Sequence, residues 1–251
     1  MRQRWWQYAE KRPGLYGAIS PFNYVFVTSS QAASHILFAQ LPVERVYSSN
    51  LNVIASERFS KLALLQARSH ELWAQFFGST VKDDPTYTIK LCFRTFPFPV
   101  NFETDPTLEA AGEAYHAFRA QLMISRNEGL TKTYNRFHAR SENAADIARL
   151  RALHHEMDVA VLRAYAGGTS SEADARGWND LADRAAPEFI EQDADEGKTP
   201  ETRLDWPSEF KDEVLARLLA LNATRAAEER AAGLVAVDDG DDEDVEESDT
   251  E

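Results

Sequence analysis

The stretch Phe22-Asn23-Tyr24-Val25-Phe26-Val27-Thr28 is rich in β-branched and aromatic residues and alternates in character along the chain. Such a stretch predicts a β-strand. Two shorter β-like pieces, 45–47 and 51–55, follow it and are separated by the turn-forming residues Ser48-Ser49-Asn50. The first part of the chain is therefore predicted to contain a small sheet.

A helix is predicted next, over residues 57–77. Its apolar residues recur at spacings of three and four, and Gly78 follows them as a stop signal. Residues 86–96 favour β structure again and run into Phe96-Pro97-Phe98-Pro99. We therefore predict a further strand over 86–96 and a mixed α/β character for this part of the chain.

The later part of the chain has helical periodicity. Helices are predicted over residues 105–126, 141–166 and 207–232. Asp105 is the expected N-cap of the first of these, with Pro106 at its first position. Three intervening segments are predicted to be loops or irregular: 129–137, 166–176 and 187–203. The fold class is thus α+β, with a small mixed α/β domain over 1–104, a mainly helical region over 105–235 and a disordered acidic tail over 236–251.

Charge is distributed unevenly along the 251 residues. The formal net charge is −14, yet residues 1–140 hold 16 Lys and Arg against 11 Asp and Glu. Residues 141–251 hold 11 against 30, and ten of those acids lie in residues 238–251. This distribution of charge is compatible with binding of a polyanion by residues 1–140.

Several classes of protein are excluded or disfavoured by the sequence. No run approaches the roughly 18 consecutive apolar residues that a membrane span needs. The N-terminus lacks the apolar core of a secretory signal. The single cysteine, Cys92, excludes an internal disulfide framework and fits a reducing compartment. These features predict a soluble, cytoplasmic protein.

The sequence offers no recognisable catalytic, cofactor or metal site. It contains no Gly-x-Gly turn after a strand, no Pro-Pro pair for an adenine-holding catalytic loop, and no phosphate-binding loop. The adjacent residues His154 and His155 point about 100° apart on a helix and cannot share one ion. We expect one packed and one solvated histidine there.

Three segments have the composition of a nucleic-acid-binding surface. Residues 4–16 interleave cations with aromatics, which suits phosphates and unstacked bases, although the two tryptophans could equally cap the core. Lys82-Asp83-Asp84 forms a charged loop that either reads base edges or faces water. Residues 129–137 either grip a DNA backbone or form a loop held by Tyr134 and Phe137.

These segments resemble the C-terminal portion of adenine-specific DNA methyltransferases of type II restriction–modification and related phage-defence systems. In the front half the resemblance is carried by Arg4-Trp5-Trp6-Gln7-Tyr8, Arg12-Pro13, Tyr24-Val25-Phe26-Val27-Thr28, His70-Glu71-Leu72-Trp73-Ala74, Phe77-Gly78-Ser79, Lys82-Asp83-Asp84, Tyr87-Thr88 and Cys92-Phe93-Arg94-Thr95-Phe96-Pro97-Phe98-Pro99. In the back half it is carried by residues 127–138, Leu153-His154, Met157-Asp158 and Trp206-Pro207. The family's Ala-Tyr-Gly-Trp run is split here into Ala164-Tyr165 and Gly177-Trp178.

The resemblance implies a target-recognition domain followed by a helical C-terminal region, which together recognise double-stranded DNA. In that family the catalytic domain, which binds S-adenosylmethionine, precedes this segment. We therefore expect no cofactor in this chain and a truncated protein that works with a separate methyltransferase polypeptide. The residues predicted to contact DNA are Arg4, Lys11, Arg12, Lys82, Asp83, Arg94, Lys132, Asn135 and Arg136.

Two other functions stay open at this point. The chain could be a protein–protein interaction module or an inactive gene remnant, with the acidic tail serving solubility or mimicking DNA. It could also be an enzyme with an unfamiliar site, which the missing cofactor turn and catalytic loop disfavour. Sequence does not give the DNA site that would be read, because recognition loops vary freely on a fixed scaffold.

Overall fold

A computed structural model describes residues 12–81, 84–169, 171–192 and 202–234. Within these ranges the protein is of mixed α/β class, mostly helical, with small antiparallel sheets. The predicted fold class is thereby confirmed. The acidic tail, together with Arg4, Lys11, Lys82 and Asp83, lies outside the described residues.

The first sheet has three strands, with β1 (Tyr24–Ser29) paired between β2 (Ala39–Pro42) and β3 (Leu51–Ile54). Both neighbours are antiparallel to β1, and the register places Val27 opposite Ala39 and Ser29 opposite Leu51. Because side chains alternate along a strand, Val25 and Val27 face one side of the sheet and Phe26 faces the other. All three side chains are buried, so both faces of this strand are covered.

Different elements cover the two faces of this sheet. A short helix, α1 (Pro13–Ile19), packs with Tyr47 against the face that contains Val25 and Val27. The opposite face, with Phe26, packs on Phe38 and Leu62. The strands predicted around residues 22–28 and 51–55 are confirmed, whereas β2 had no prediction.

The strand predicted at 45–47 is wrong, because these residues form the turn between β2 and β3. The Tyr47 hydroxyl donates a hydrogen bond to the Pro42 carbonyl at 2.6 Å. The Tyr47 amide in turn donates to the hydroxyl of Tyr16 at 3.2 Å. These two bonds satisfy the hydroxyl and the amide of Tyr47 without strand pairing. Its ring is buried in the core.

The single helix predicted over 57–77 is wrong in one respect, since it is broken into α2 (Phe59–Gln66) and α3 (Arg68–Phe77). Ala67 between them has an extended backbone, with φ −67° and ψ 151°. The Arg68 amide donates to the Asp158 carboxylate at 2.9 Å, so the helical hydrogen bond to Leu64 is replaced. Gly78 ends α3 as predicted, and a Cβ at that position would lie 2.4 Å from the Ala74 carbonyl oxygen.

The strand predicted over 86–96 is also wrong. A short hairpin, β4 (Ser79–Val81) and β5 (Asp84–Thr86), comes first, and a single π-helical turn follows over Ile89–Phe93. Cys92, within the π-helical turn, and Phe96, shortly after it, are both buried and pack in two different hydrophobic clusters.

The back half contains the helices α4 (Pro106–Arg126), α5 (Leu130–His138), α6 (Ala145–Gly167), α7 (Glu172–Arg184) and α8 (Ser208–Ala231), with a 3-10 turn, Phe102–Thr104, before them. Asp105 caps α4 by accepting from the amides of Thr107 and Leu108, and Pro106 begins the helix, as predicted. The helices predicted over 105–126, 141–166 and 207–232 are confirmed.

Three segments predicted to lack regular structure contain helix or strand within their described residues. Residues 129–137 contain α5, because Thr133, Tyr134 and Phe137 form a buried face at helical spacing. The segment 187–203 contains β6 (Glu188–Glu191) and the beginning of β7 (Thr202–Asp205), which pair antiparallel. The loop predicted over 166–176 is shorter, since α7 begins at Glu172 with Ser171 as its N-cap.

The largest hydrophobic cluster crosses the predicted boundary at residue 104. It joins Leu64 and Trp73 of the front half to Leu108 on α4, Met157 on α6 and Trp206 before α8. The division into domains 1–104 and 105–235 stays a prediction, and the described residues on its two sides share this cluster. None of the described helices has the length and apolar character needed to cross a membrane.

Candidate nucleic-acid interface

The loops at one end of the three-stranded sheet lie next to each other. β1 ends at Ser29 and β3 begins at Leu51, and these two residues are register partners. The segment 29–35 begins with the last residue of β1, and the segment 48–50 precedes β3, so both leave the sheet at this end. Residues 84–86 of β5 and residue 135 of the helical half lie against them. We call residues 29–35, 48–50, 84–86 and 135 the loop rim.

Backbone hydrogen bonds connect the parts of the loop rim. The Ser30 amide donates to the Asn50 carbonyl at 2.9 Å, and the Ala33 amide donates to the Pro85 carbonyl at 3.2 Å. The second bond joins the loop after β1 to the hairpin β4–β5. Main-chain hydrogen bonds therefore join the separate parts of the rim.

Arg12 is a predicted DNA-contacting residue whose side chain reaches the loop rim. Its guanidinium Nη1 donates to the carbonyl of Ser48 at 3.4 Å, and its side chain is half-buried. Its backbone is left-handed, with φ 40°, immediately before Pro13 begins α1. The Arg12 guanidinium is thus already held beside the 48–50 loop. It could contact a DNA phosphate there without a rearrangement of the chain.

Helix α5 supports the other side of the loop rim. Asn135 is exposed, and its Oδ1 lies 2.9 Å from Nε2 of His35, whose ring stacks on that of His138 at 5.1 Å. Arg203 on β7 donates to the carbonyl of Ser34 and forms an ion pair with Glu71. The front half and the helical half thus both position the 30–35 loop.

Two cations of α5 differ in how firmly they are held. The side chain of Lys132 is 70% exposed and forms an i, i+4 ion pair with Glu128 at 3.4 Å. Such a surface pair contributes little to stability and is readily exchanged for another anion. The guanidinium of Arg136 is mostly buried and is paired with Glu142 at 2.7 Å and Glu128 at 3.2 Å. Arg136 therefore has a structural role in the free chain.

The other predicted contacts do not share this arrangement. Arg94 is exposed immediately after the π-helical turn, and no hydrogen bond joins it to the described part of the loop rim. Arg4, Lys11, Lys82 and Asp83 fall on residues that the structure does not describe. The structure thus places Asn135 on the rim, Arg12 against it and Lys132 one turn before Asn135 on α5, and the DNA-binding role of all nine residues stays a prediction.

A buried ionic network lies behind the loop rim. Asp158 on α6 is fully buried, forms an ion pair with Arg68 and lies 3.2 Å from Nδ1 of His154. Burial raises the pKa of Asp158, but the charges of His154 and Arg68 and their hydrogen bonds outweigh it, so the pKa lies below its usual value. Arg68 also donates to the carbonyl of Leu204 on β7 at 3.2 Å. This network ties the α2–α3 break to α6 and β7.

Sequence analysis missed this network. The expectation of one packed and one solvated histidine is met for His154, which is buried, while His155 is half-buried. The available signal was the i, i+4 spacing of His154 and Asp158 on an otherwise apolar helix face. Arg68 gave no local signal, because its partner lies 90 residues away along the chain.

The expectation of no S-adenosylmethionine in this chain stays a prediction that the described residues do not test. Every strand pair in them is antiparallel, whereas a glycine-rich cofactor turn belongs to a parallel α/β sheet.

A cavity of about 570 Å³ between α6, α7 and α8 is lined by Arg217 and Arg225 but also by Glu213 and Glu228. Among the residues that the structure describes, no group of three or more His, Cys, Asp or Glu could hold a metal ion.

Comparison with known proteins finds a similarity in the front half. Residues 7–100 match the family model described as "MmeI, target recognition domain". The predicted resemblance to a target-recognition domain of restriction–modification enzymes is thereby confirmed over these residues, which include Arg12 and most of the loop rim.

One solved structure also matches, described as "Structure of Type IIL restriction-modification enzyme MmeI in complex with DNA has implications for engineering of new specificities". The identity is 20% and the TM-score is 0.49, over 62% of this chain and 20% of that one. The chain thus spans about a fifth of the length of that enzyme. No curated protein matches the chain significantly.

Proposed function

We propose that this chain recognises specific sequences in double-stranded DNA, as the target-recognition and helical C-terminal part of an adenine-specific methyltransferase of a restriction–modification system. The observation that carries the proposal is the loop rim. It lies within residues that match a target-recognition domain, except for Asn135, and it presents exposed polar side chains beside Arg12. Catalysis and S-adenosylmethionine binding would belong to a part of such an enzyme outside the segment that this chain represents.

Phosphate contacts and base contacts would come from different groups. Arg12 and Lys132 flank the rim and are suited to phosphates, which fix the register of a protein on the duplex without reading sequence. The exposed carboxamides and hydroxyls between them, such as Asn135, are suited to base edges. Arg94 is a further candidate for phosphate, and Arg136 would contact DNA only if its two ion pairs rearranged.

The helical half would act as a support. Its α5 and β7 hold the 30–35 loop through the His35–Asn135 contact and the Arg203–Ser34 hydrogen bond. A recognition loop needs a rigid scaffold, because a displacement of a side chain by an ångström breaks a bidentate base contact. The helical half would thereby preserve sequence specificity without touching DNA at most of its surface.

The proposal is tested by fluorescence anisotropy of a labelled duplex of mixed sequence, titrated with the whole chain at two salt concentrations. We expect a Kd of about 1 µM or weaker that weakens further as salt rises, because phosphate contacts release counterions. Arg12→Ala and Lys132→Ala should each weaken binding and reduce the slope of log K against log salt by about 1.

Arg149→Ala is a matched control, because Arg149 forms an exposed ion pair with Glu156 on α6 and its replacement removes the same charge. It should leave the salt slope unchanged. An equal effect of all three variants would contradict a contact at the rim. Absence of binding at low salt would overturn the proposal, and stable association with another polypeptide would then favour a protein-interaction module.

A further inference from the structure

Two carboxamide side chains meet on the loop rim. Nε2 of Gln31 lies 3.5 Å from Oδ1 of Asn50, and both residues are exposed. Neither residue was singled out from the sequence, because Gln31 and Asn50 lie 19 residues apart in loops without a motif. They are brought together because the loops after β1 and before β3 leave the same end of the sheet.

The backbones of both residues are fixed independently of this contact. The Gln31 amide donates to the Ser29 hydroxyl at 3.1 Å, and that hydroxyl donates to the Gln31 carbonyl at 3.2 Å. The Asn50 amide donates to the Ser48 hydroxyl at 3.2 Å, and its carbonyl accepts from Ser30 at 2.9 Å. The two loops are therefore already joined, and the long contact between the carboxamides is not needed to hold them.

The contact with Asn50 does, however, decide which hydrogen-bonding groups Gln31 presents. A glutamine carboxamide has one acceptor oxygen and two N–H donors. When one N–H points at Asn50, the oxygen and the other N–H are left side by side on an exposed side chain. Gln31 therefore presents one acceptor and one donor.

This pair of groups matches a single base edge in the major groove. Adenine offers N7 as an acceptor and its N6 amino group as a donor, so it can form two hydrogen bonds with such a carboxamide. Guanine offers two acceptors and would leave the Gln31 oxygen without a donor. Thymine and cytosine each offer one hydrogen-bonding group there and could form a single bond.

We propose that Gln31 reads an adenine in the target sequence through the major groove, and that Asn50 is a positioning residue that fixes the orientation of the Gln31 carboxamide. The inference rests on the proposed function, since it requires that the loop rim enters DNA. It adds the residue that determines specificity at one position of the recognised sequence.

The test is a selection of duplexes from a randomised DNA library by the whole chain at low salt, followed by sequencing. The wild type should enrich a sequence that contains adenine at a fixed position. Gln31→Ala should lower the preference for adenine at that position by about tenfold and leave the other positions unchanged. Gln31→Glu should shift the preference toward cytosine, because a carboxylate accepts from its N4 amino group.

Three further variants separate charge and position from base reading. Gln121→Glu on the exposed side of α4 adds the same negative charge outside the rim and should change no base preference. Asn50→Leu should reduce the discrimination between adenine and guanine at the Gln31 position. Asn50→Asp, by contrast, should keep the discrimination of the wild type, because its carboxylate still accepts a hydrogen bond from Gln31.

The outcomes distinguish the inference from the proposed function. If the wild type enriches no sequence, the proposed function fails and the inference fails with it. If the wild type enriches a sequence and neither Gln31 variant changes any base preference, while circular dichroism shows each variant to be folded, only the inference is overturned.

Discussion

Asp158 on α6 accepts hydrogen bonds from both the backbone amide and the guanidinium of Arg68, at the break between α2 and α3. Both side chains are almost completely buried, at 3% exposure for Arg68 and 0% for Asp158. The same carboxylate thus replaces a missing helical hydrogen bond and neutralises a buried cation. This contact connects the front half, which includes most of the loop rim, to the helical half.

Removing the Asp158 carboxylate should destabilise the protein strongly. Asp158→Asn leaves the buried Arg68 guanidinium with only the carboxylate of Asp205, at 4.0 Å, as a counter-charge. Breaking a buried pair from one side costs about 3–5 kcal/mol, and the remaining partner places the expected loss toward the lower end of that range. The free energy of unfolding from urea denaturation should fall by that amount. Arg149→Ala, which breaks an exposed pair, should cost about 0.5 kcal/mol or less. A loss below about 1 kcal/mol for Asp158→Asn would contradict the assigned role.

Acid should destabilise the protein through buried histidines. Burial lowers the pKa of His70 from 6.5 to about 3, and burial together with Arg203 lowers that of His138. The unfolded chain gains a proton on each as pH falls below about 6.5, while the folded chain does not, so stability is lost below that pH. Each histidine contributes a slope of about 1.4 kcal/mol per pH unit.

Urea denaturation between pH 7.5 and pH 5 measures this loss. His70→Phe removes one titrating group, and His70 already packs edge-on against Phe96 in an aromatic environment. The variant should lose less stability than the wild type over the same pH interval. Equal slopes for the two proteins would show that His70 does not stay neutral in the folded state.

Gly112→Ala should disrupt the packing of α4 on α2. Alanine ordinarily stabilises a helix relative to glycine by about 1 kcal/mol. Here a Cβ at position 112 would lie 2.1 Å from the Phe59 carbonyl oxygen, so the two helices would have to move apart. We expect a decrease in Tm instead of the increase that helix propensity predicts.

Gly167→Ala is the matched control for this substitution. Gly167 is also helical, at the end of α6, and a Cβ there would meet no described atom within 4 Å. The control should leave Tm unchanged or raise it slightly. If Gly112→Ala behaved like the control, the close approach of α2 and α4 would not hold in solution.

Deleting residues 238–251 should strengthen DNA binding at low salt. The deletion removes ten acidic residues and changes the formal net charge from −14 to −4. Less negative charge on the chain lowers its repulsion from DNA and the competition for its cations. Anisotropy titrations of both chains would measure the change, which should diminish as salt screens the charges. An unchanged Kd at low salt would contradict this competition.

Local sequence patterns were sufficient for much of the fold. The β-branched run around Val25 predicted β1, and the Asp105-Pro106 pair predicted the beginning of α4, because strand alternation and capping depend on neighbouring residues only. Gly78 likewise predicted the end of α3. Patterns failed where a distant group decided the local backbone, as at Ala67, where the partner of the next amide is Asp158.

The candidate interface divides in the same way. The sequence suggested Arg12, Lys132 and Asn135 from their composition and from a family resemblance, and residues 7–100 match the corresponding target-recognition domain. It provided no reason to select Gln31 or Asn50, whose meaning depends on their contact at 3.5 Å.

The sequence by itself determined β1, β3 and the long helices α4, α6 and α8, and it indicated which class of domain the front half resembles. Only the tertiary structure decided which loops meet at the end of the sheet and which charges are buried, as with Arg68 and Asp158. The physical reason is one of range. Alternation and capping act over a few residues, whereas hydrogen bonds between loops and buried ion pairs depend on where the whole chain brings its distant parts together.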